Sequence, residues 1–128
     1  MVLLDQKINT LQYIINNITE DLGFFGSIVS SEEGLIILTS NQVDPKIEME
    51  SLAAKAASLF NDYKEFSENP EDITITYTDK KIFIQKISLL DNSDNCILLI
   101  TIMPQNIRYF RRKVNKLAKY VSNAPILP

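Results

Sequence analysis

The sequence predicts a mixed α/β (α+β) domain in which three helices cover both faces of a five-stranded, mostly antiparallel sheet. Three segments carry apolar residues at every third or fourth position, as amphipathic helices do. Five β-rich segments are joined largely by short polar turns, which favours hairpins. Two of these segments are apolar on both faces and therefore need cover on both. The 128 residues are 45% hydrophobic, which suits a single domain over 1–128 with a core over 5–122.

The first helix is predicted over residues 5–22, because its apolar stripe ends there and Gly23 follows as a stop. A hairpin comes next, in which a polar loop ending at Gly34 separates two β-rich runs. The second run, Leu35–Leu38, is wholly apolar. We therefore expect it to be buried on both faces.

The second helix is predicted to end near Lys64, and its apolar arc spans roughly 160°, more than one sheet requires. One edge of the arc is bulky and contains Leu52 and Leu59, whereas the other is small and contains Ala53 and Ala57. Small residues allow another backbone to come close. We therefore expect this helix to contact a second neighbour besides its own sheet.

Three further strands complete the predicted order α-β-β-α-β-β-β-α. Residues 73–77 alternate between apolar residues and threonine, which is typical of a half-buried strand, and we expect this strand to lie at an open sheet edge. The run 82–87 forms the next arm, and 89–95 is predicted to be a polar loop. The apolar segment Cys96–Met103 should be the central strand.

A last helix is predicted over about 106–122, with Arg108, Arg112, Lys116 and Lys119 on its outer side. All 16 acidic residues lie at or before Asp94, so residues 1–107 carry 7 − 16 = −9 and residues 108–128 carry +6. A solvated surface explains such a face without a partner. The alternatives are an acidic protein, an anionic lipid or a nucleic acid. Nucleic acid is the least favoured, because the acidic remainder repels phosphates.

The residue inventory argues against an enzyme. The chain has no histidine and one cysteine, Cys96, which excludes imidazole catalysis, His-ligated or multi-thiolate metal sites and an internal disulfide. Its three glycines do not have phosphate-loop spacing. We expect a binding module without cofactor or metal. Because polar residues follow the first four directly, we expect no secretory signal and a cytoplasmic location.

Three segments in this order resemble the roadblock family. They are the hairpin over 23–40 with its acidic-Gly turn, the Ala-rich helix segment over 50–59, and the apolar strand Cys96–Met103, which runs through Pro104 into a basic helix. The resemblance extends over residues 5–122 and implies a roadblock/profilin-like fold.

The resemblance also implies a homodimer, or a heterodimer with a similar roadblock chain. In the family the middle helices pack antiparallel across a two-fold axis, and the edges of the third strands join. Carried over to this sequence, that interface comprises Ala53, Ala54, Ala57, Ser58, Phe60, Thr74 and Thr76. Family dimers commonly bind small Ras-like GTPases, as scaffolds or by altering nucleotide turnover, without a catalytic residue of their own.

Two other functions are compatible with the same sequence. A profilin- or PAS-like domain would hold a small ligand between sheet and helix. A docking module would use the basic last helix on an anionic surface, such as a peripheral membrane site. The tail 123–128 contains two prolines and is expected to be flexible.

Overall fold

The computed structural model describes residues 2–40, 46–65, 70–89 and 92–123. Its elements are α1 (Val2–Asp21), β1 (Gly26–Ser31), β2 (Ile36–Thr39), α2 (Met49–Glu65), β3 (Asp72–Thr76), β4 (Lys81–Leu89), β5 (Asn92–Met103) and α3 (Phe110–Asn123). The predicted order of helices and strands is therefore confirmed. Of the predicted flexible tail, Asn123 is the last residue of α3 and the others lie outside the described residues.

All strand pairs in the sheet are antiparallel, and the strand order is β2-β1-β5-β4-β3. The apolar β5 is central, as predicted, and β3 lies at one edge. Ile100 of β5 is opposite Ile28 of β1 on one side and Ile84 of β4 on the other. Residues directly opposite one another share a face, so these three isoleucines form a row on one face of the sheet.

Helices cover both faces of the sheet, as predicted. Helices α1 and α3 lie on one face, where residues such as Ile15, Leu99 and Leu117 form a buried core. Helix α2 lies on the opposite face and packs on the row containing Ile28 and Ile100. Two helices therefore cover one face and one helix covers the other.

Three predicted boundaries or environments are wrong. Strand β5 begins at Asn92, so the predicted loop over 89–95 is mostly strand. Helix α3 begins at Phe110 rather than near Asn106, because Tyr109 adopts a left-handed backbone conformation with φ 58° that interrupts the helix. Leu35, predicted to be buried on both faces, is 71% exposed. The reason is its position in the turn before an edge strand rather than within the sheet.

No helix within the described ranges is both long and apolar enough to cross a membrane.

Candidate functional site

The outer edge of β3 is open. The N–H of Lys86 donates to the carbonyl of Glu71 (3.0 Å), and the N–H of Tyr77 donates to the carbonyl of Lys80 (2.8 Å). In an antiparallel ladder such bonded residues alternate with residues whose backbone groups point the other way. Thr74 and Thr76 therefore direct their N–H and C=O groups away from β4, where no strand of the described chain pairs with them.

The opposite edge of the sheet, β2, is less accessible to a further strand. Ser40 donates its N–H to the carbonyl of Ser27, so the preceding residue, Thr39, directs its carbonyl outwards. The side-chain amide of Gln12 on α1 donates a hydrogen bond to that carbonyl. The strand is also only four residues long, and its pairing with β1 is irregular between Val29 and Ser30. Short length, irregular pairing and a covered backbone carbonyl all help to protect an edge strand.

The structure divides the five predicted interface residues of α2 into two groups. Ala53, Ala57 and Phe60 are at most 5% exposed and belong to the core between α2 and its own sheet. Their side chains therefore pack against the chain's own sheet, and their place in a partner interface stays a prediction. Ala54 and Ser58 are exposed, as an interface requires.

The second neighbour predicted for the small edge of α2 includes the chain's own hairpin turn. A Cβ atom on Gly34 would lie 3.0 Å from the carbonyl oxygen of Ala53 and 3.0 Å from the Cα of Ala54. Gly34 also has a φ of +92°, which side chains rarely permit. The turn thus approaches the helix backbone closely, and the small size of Ala53 is explained within one chain. The small edge is not by itself evidence for a dimer.

A second apolar group on this face remains incompletely covered. Leu52 and Leu59 on α2, and Ile73 and Ile75 on β3, pack around the same core but are only partly buried, and Tyr63 is 41% exposed. We call these five residues the apolar strip. Sequence periodicity indicated a half-buried β3 but not which helix its isoleucines would meet. The strip shares β3 with the open edge, so both features lie in one region.

The basic residues of the last helix lie on its exposed side, except that Arg108 precedes the helix. Arg112, Lys116 and Lys119 are exposed members of α3. Arg111, which was not among the predicted residues, donates to the carboxylate of Asp72 at 3.0 Å and lies 5.0 Å from the ring centre of Phe83. Arg111 is thus held against the sheet, whereas the predicted cations project outwards.

Two surface clefts among the described residues have room for a small ligand. One, of about 290 Å³, lies at the end of α2 beside Phe60 and Lys86, and the other, of about 420 Å³, separates β4 from α3 near Asn115. Both border Gln85, whose buried side-chain oxygen has no hydrogen-bond partner in the described part of the chain. Nowhere in that part do three His, Cys, Asp or Glu residues cluster as metal ligands.

Comparison with known proteins identifies the fold. No family model and no curated protein matches the sequence. Among solved structures, Myxococcus xanthus MglB superposes with a TM-score of 0.70 at 14% identity, over 88% of this chain and 92% of that one. An MglB structure with a tetrameric arrangement gives 0.74 at 9% identity, over 91% and 88%. A Roadblock/LC7 domain from Streptomyces avermitilis gives 0.60 at 14% identity, over 83% and 92%. The chain therefore has the roadblock fold that its sequence resembles.

Proposed function

We propose that this chain is a non-enzymatic, dimeric scaffold or regulator that binds a small Ras-like GTPase. One observation supports the dimer above all: the open edge of β3 and the apolar strip occur together on one side of the molecule. The roadblock resemblance and the similarity in fold to MglB structures support the GTPase as partner.

Pairing of two β3 edges would satisfy the outward backbone groups of Thr74 and Thr76. An antiparallel pair about a two-fold axis would join the two sheets into one of twice the width. The apolar strip would then be covered further by the second chain. On α2, the side nearest the β3 edge carries Leu52 and Leu59, and the exposed Ala54 and Ser58 are the carried-over positions at which a partner helix would come close. The second chain is an identical copy or a similar roadblock chain.

The proposed regulation requires no catalytic side chain from this protein. A rigid dimer surface that binds one conformation of the GTPase switch loops better than another shifts their populations towards that conformation. The nucleotide turnover of the GTPase then changes because its own catalytic groups are rearranged. A scaffold would bind both conformations equally and leave turnover unchanged.

Sedimentation velocity of a Thr74→Pro variant tests the dimer. The N–H of Thr74 points away from β4, so proline removes an edge donor without breaking the β3–β4 ladder. We expect a dimeric wild type and a folded, monomeric variant. Thr76→Val is the control, because it keeps the backbone donor and should remain dimeric. A monomeric wild type at about 0.1 mM would contradict the dimer.

An Ala54→Arg variant tests the helical part of the same interface. Ala54 is exposed, so the arginine should be tolerated in the monomer but obstruct a second helix. Ala57→Arg would be uninformative, because Ala57 is 4% exposed and a charge there would disrupt the core. A dimer unaffected by Ala54→Arg would place the contact on β3 and on the side of α2 that carries Leu52 and Leu59.

Titration calorimetry against purified small Ras-like GTPases, in their GDP- and GTP-analogue-bound forms, tests the partner. We expect binding that differs between the two forms and is lost in the monomeric Thr74→Pro variant. Single-turnover GTP hydrolysis, with and without the chain, then distinguishes a regulator from a scaffold. A verified dimer that binds neither form of any GTPase tested would contradict the proposed partner.

A further inference from the structure

We propose that α3 docks this protein onto an anionic lipid surface through a cationic ridge formed by Arg112, Lys116 and Lys119. The three residues are spaced by four and three positions, so at about 100° per residue they fall within an arc of about 60°. The buried residues of the helix, Val114 and Leu117 among them, lie on its opposite side. The ridge therefore lies on the side of α3 that faces away from the protein core.

The charge of the ridge is not neutralised within the described chain. The ion pairs found there involve Lys80, Lys86 and Arg111, and none of the three ridge residues takes part. All acidic residues of the chain lie at or before Asp94, so α3 contains none. A cluster of cations without nearby acids attracts an anionic surface, and each basic residue near such a surface strengthens the attraction.

Two exposed tyrosines accompany the ridge. Tyr109, one residue before α3, is 79% exposed and adopts a conformation that residues other than glycine rarely take. Tyr120 is 46% exposed and lies within the same helix. Neither side chain is needed to fill the core. Tyrosine combines an apolar ring with a polar hydroxyl and is enriched at the lipid–water interface, which favours a membrane over other anionic partners.

The shape and the remaining charge of the molecule also favour a lipid surface over a nucleic acid. The exposed side of a surface helix can contact a flat membrane along its length. A nucleic acid that extended beyond α3 would be repelled by residues 1–107, because they carry a net charge of −9.

The inference goes beyond the proposed function and does not require it, because each ridge belongs to one chain. In the proposed dimer, antiparallel pairing of the β3 edges keeps equivalent sheet faces on the same side. Both ridges would then point towards one surface, and two linked contacts bind more tightly than one. Helix α2 of each chain would face the opposite direction.

Vesicle flotation of the full chain tests the proposal. The vesicles are pure phosphatidylcholine, or phosphatidylcholine with about one third phosphatidylserine. We expect binding to the anionic vesicles alone, weakening as salt is raised from about 0.1 to 0.5 M. Lys116→Glu should reduce binding about tenfold. Its matched control, Lys55→Glu, makes the same charge change at an exposed position on α2 and should leave binding within about twofold.

Three results would overturn the proposal: no binding of the wild type to anionic vesicles, equal loss in both lysine variants, or tighter binding to a duplex oligonucleotide than to the vesicles. Light scattering on the same samples keeps this test separate from the proposed function. A dimer that does not bind vesicles would contradict the ridge alone. A monomeric wild type that binds vesicles would contradict the dimer alone.

Discussion

The two faces of the sheet differ in how completely this chain covers them. On the face with α1 and α3, two helices enclose a core in which Ile15, Leu99 and Leu117 are fully buried. On the other face, α2 alone leaves the apolar strip partly exposed beside an open strand edge. Incomplete cover of one face is therefore the structural feature on which the proposed partner surface depends.

The largest effect should come from truncating equivalent leucines on the two faces. Leu117 is 0% exposed on the two-helix face, and Leu117→Ala should lower the free energy of unfolding by about 3–5 kcal/mol. Leu59 on α2 is only partly buried, so Leu59→Ala should cost about 1–2 kcal/mol in the monomer. Urea unfolding monitored by circular dichroism measures both.

The same pair of variants can refute the comparison. Equal losses at low protein concentration would mean that the α2 face is as well enclosed as the other. In the proposed dimer, the cost of Leu59→Ala should rise with protein concentration, whereas that of Leu117→Ala should change less.

The next effect concerns the hairpin turn that approaches α2. Gly34→Ala should lower the free energy of unfolding by about 2–3 kcal/mol, because it combines a positive φ with a contact against the helix backbone. Gly23→Ala is the matched control: Gly23 has a φ of +74° but no atom within 4 Å of the added Cβ, so it should cost about 1 kcal/mol. Thermal unfolding of both variants isolates the contact, and equal costs would show that the turn can move away from α2.

A smaller effect concerns a buried polar pair on the two-helix face. The hydroxyls of Thr19 on α1 and Ser27 on β1 lie 2.8 Å apart, and both residues are buried. Thr19→Val should cost about 1–2 kcal/mol, because it leaves the Ser27 hydroxyl without this partner. A double-mutant cycle with Ser27→Ala should give a coupling energy of about 1 kcal/mol in chemical unfolding. Additive losses would show that the two hydroxyls do not depend on each other.

The smallest effect is expected where the two-helix face meets the open edge. Arg111 on α3 pairs with Asp72 on β3 at 3.0 Å, but its side chain is 58% exposed. Asp72→Asn should therefore lower the free energy of unfolding by only about 0.2–1 kcal/mol, and less at high salt. Unfolding measured at low and high salt checks this. A larger, salt-independent loss would mean that Asp72 has a structural role beyond the ion pair.

Much of the fold could be predicted from the sequence because periodicity and turn residues are local signals. The run Cys96–Met103 indicated a strand covered on both faces, and β5 is indeed central. The alternating isoleucines and threonines of 73–77 indicated a half-buried edge strand, and β3 lies at an edge. In both segments the pattern depends only on neighbours along the strand.

The parts that could not be predicted depend on which distant segment covers a residue. The hydrophobicity of Leu35 predicted a core position, but this residue lies in a turn before an edge strand and is exposed. The small size of Ala53 indicated a second neighbour, but only the structure shows the chain's own Gly34 turn in that place. The start of α3 was misplaced because nothing in the composition of 106–109 announces the left-handed conformation of Tyr109.

The hydrogen bond from Gln12 to Thr39 has a consequence for assembly size. A sheet with two edges open to strand pairing can add copies without limit and grow into a fibre. A sheet with one open edge can form only a closed pair through that edge. The bond covers one outward carbonyl of β2, and together with the short length and irregular pairing of that strand it disfavours the addition of a further strand at this edge.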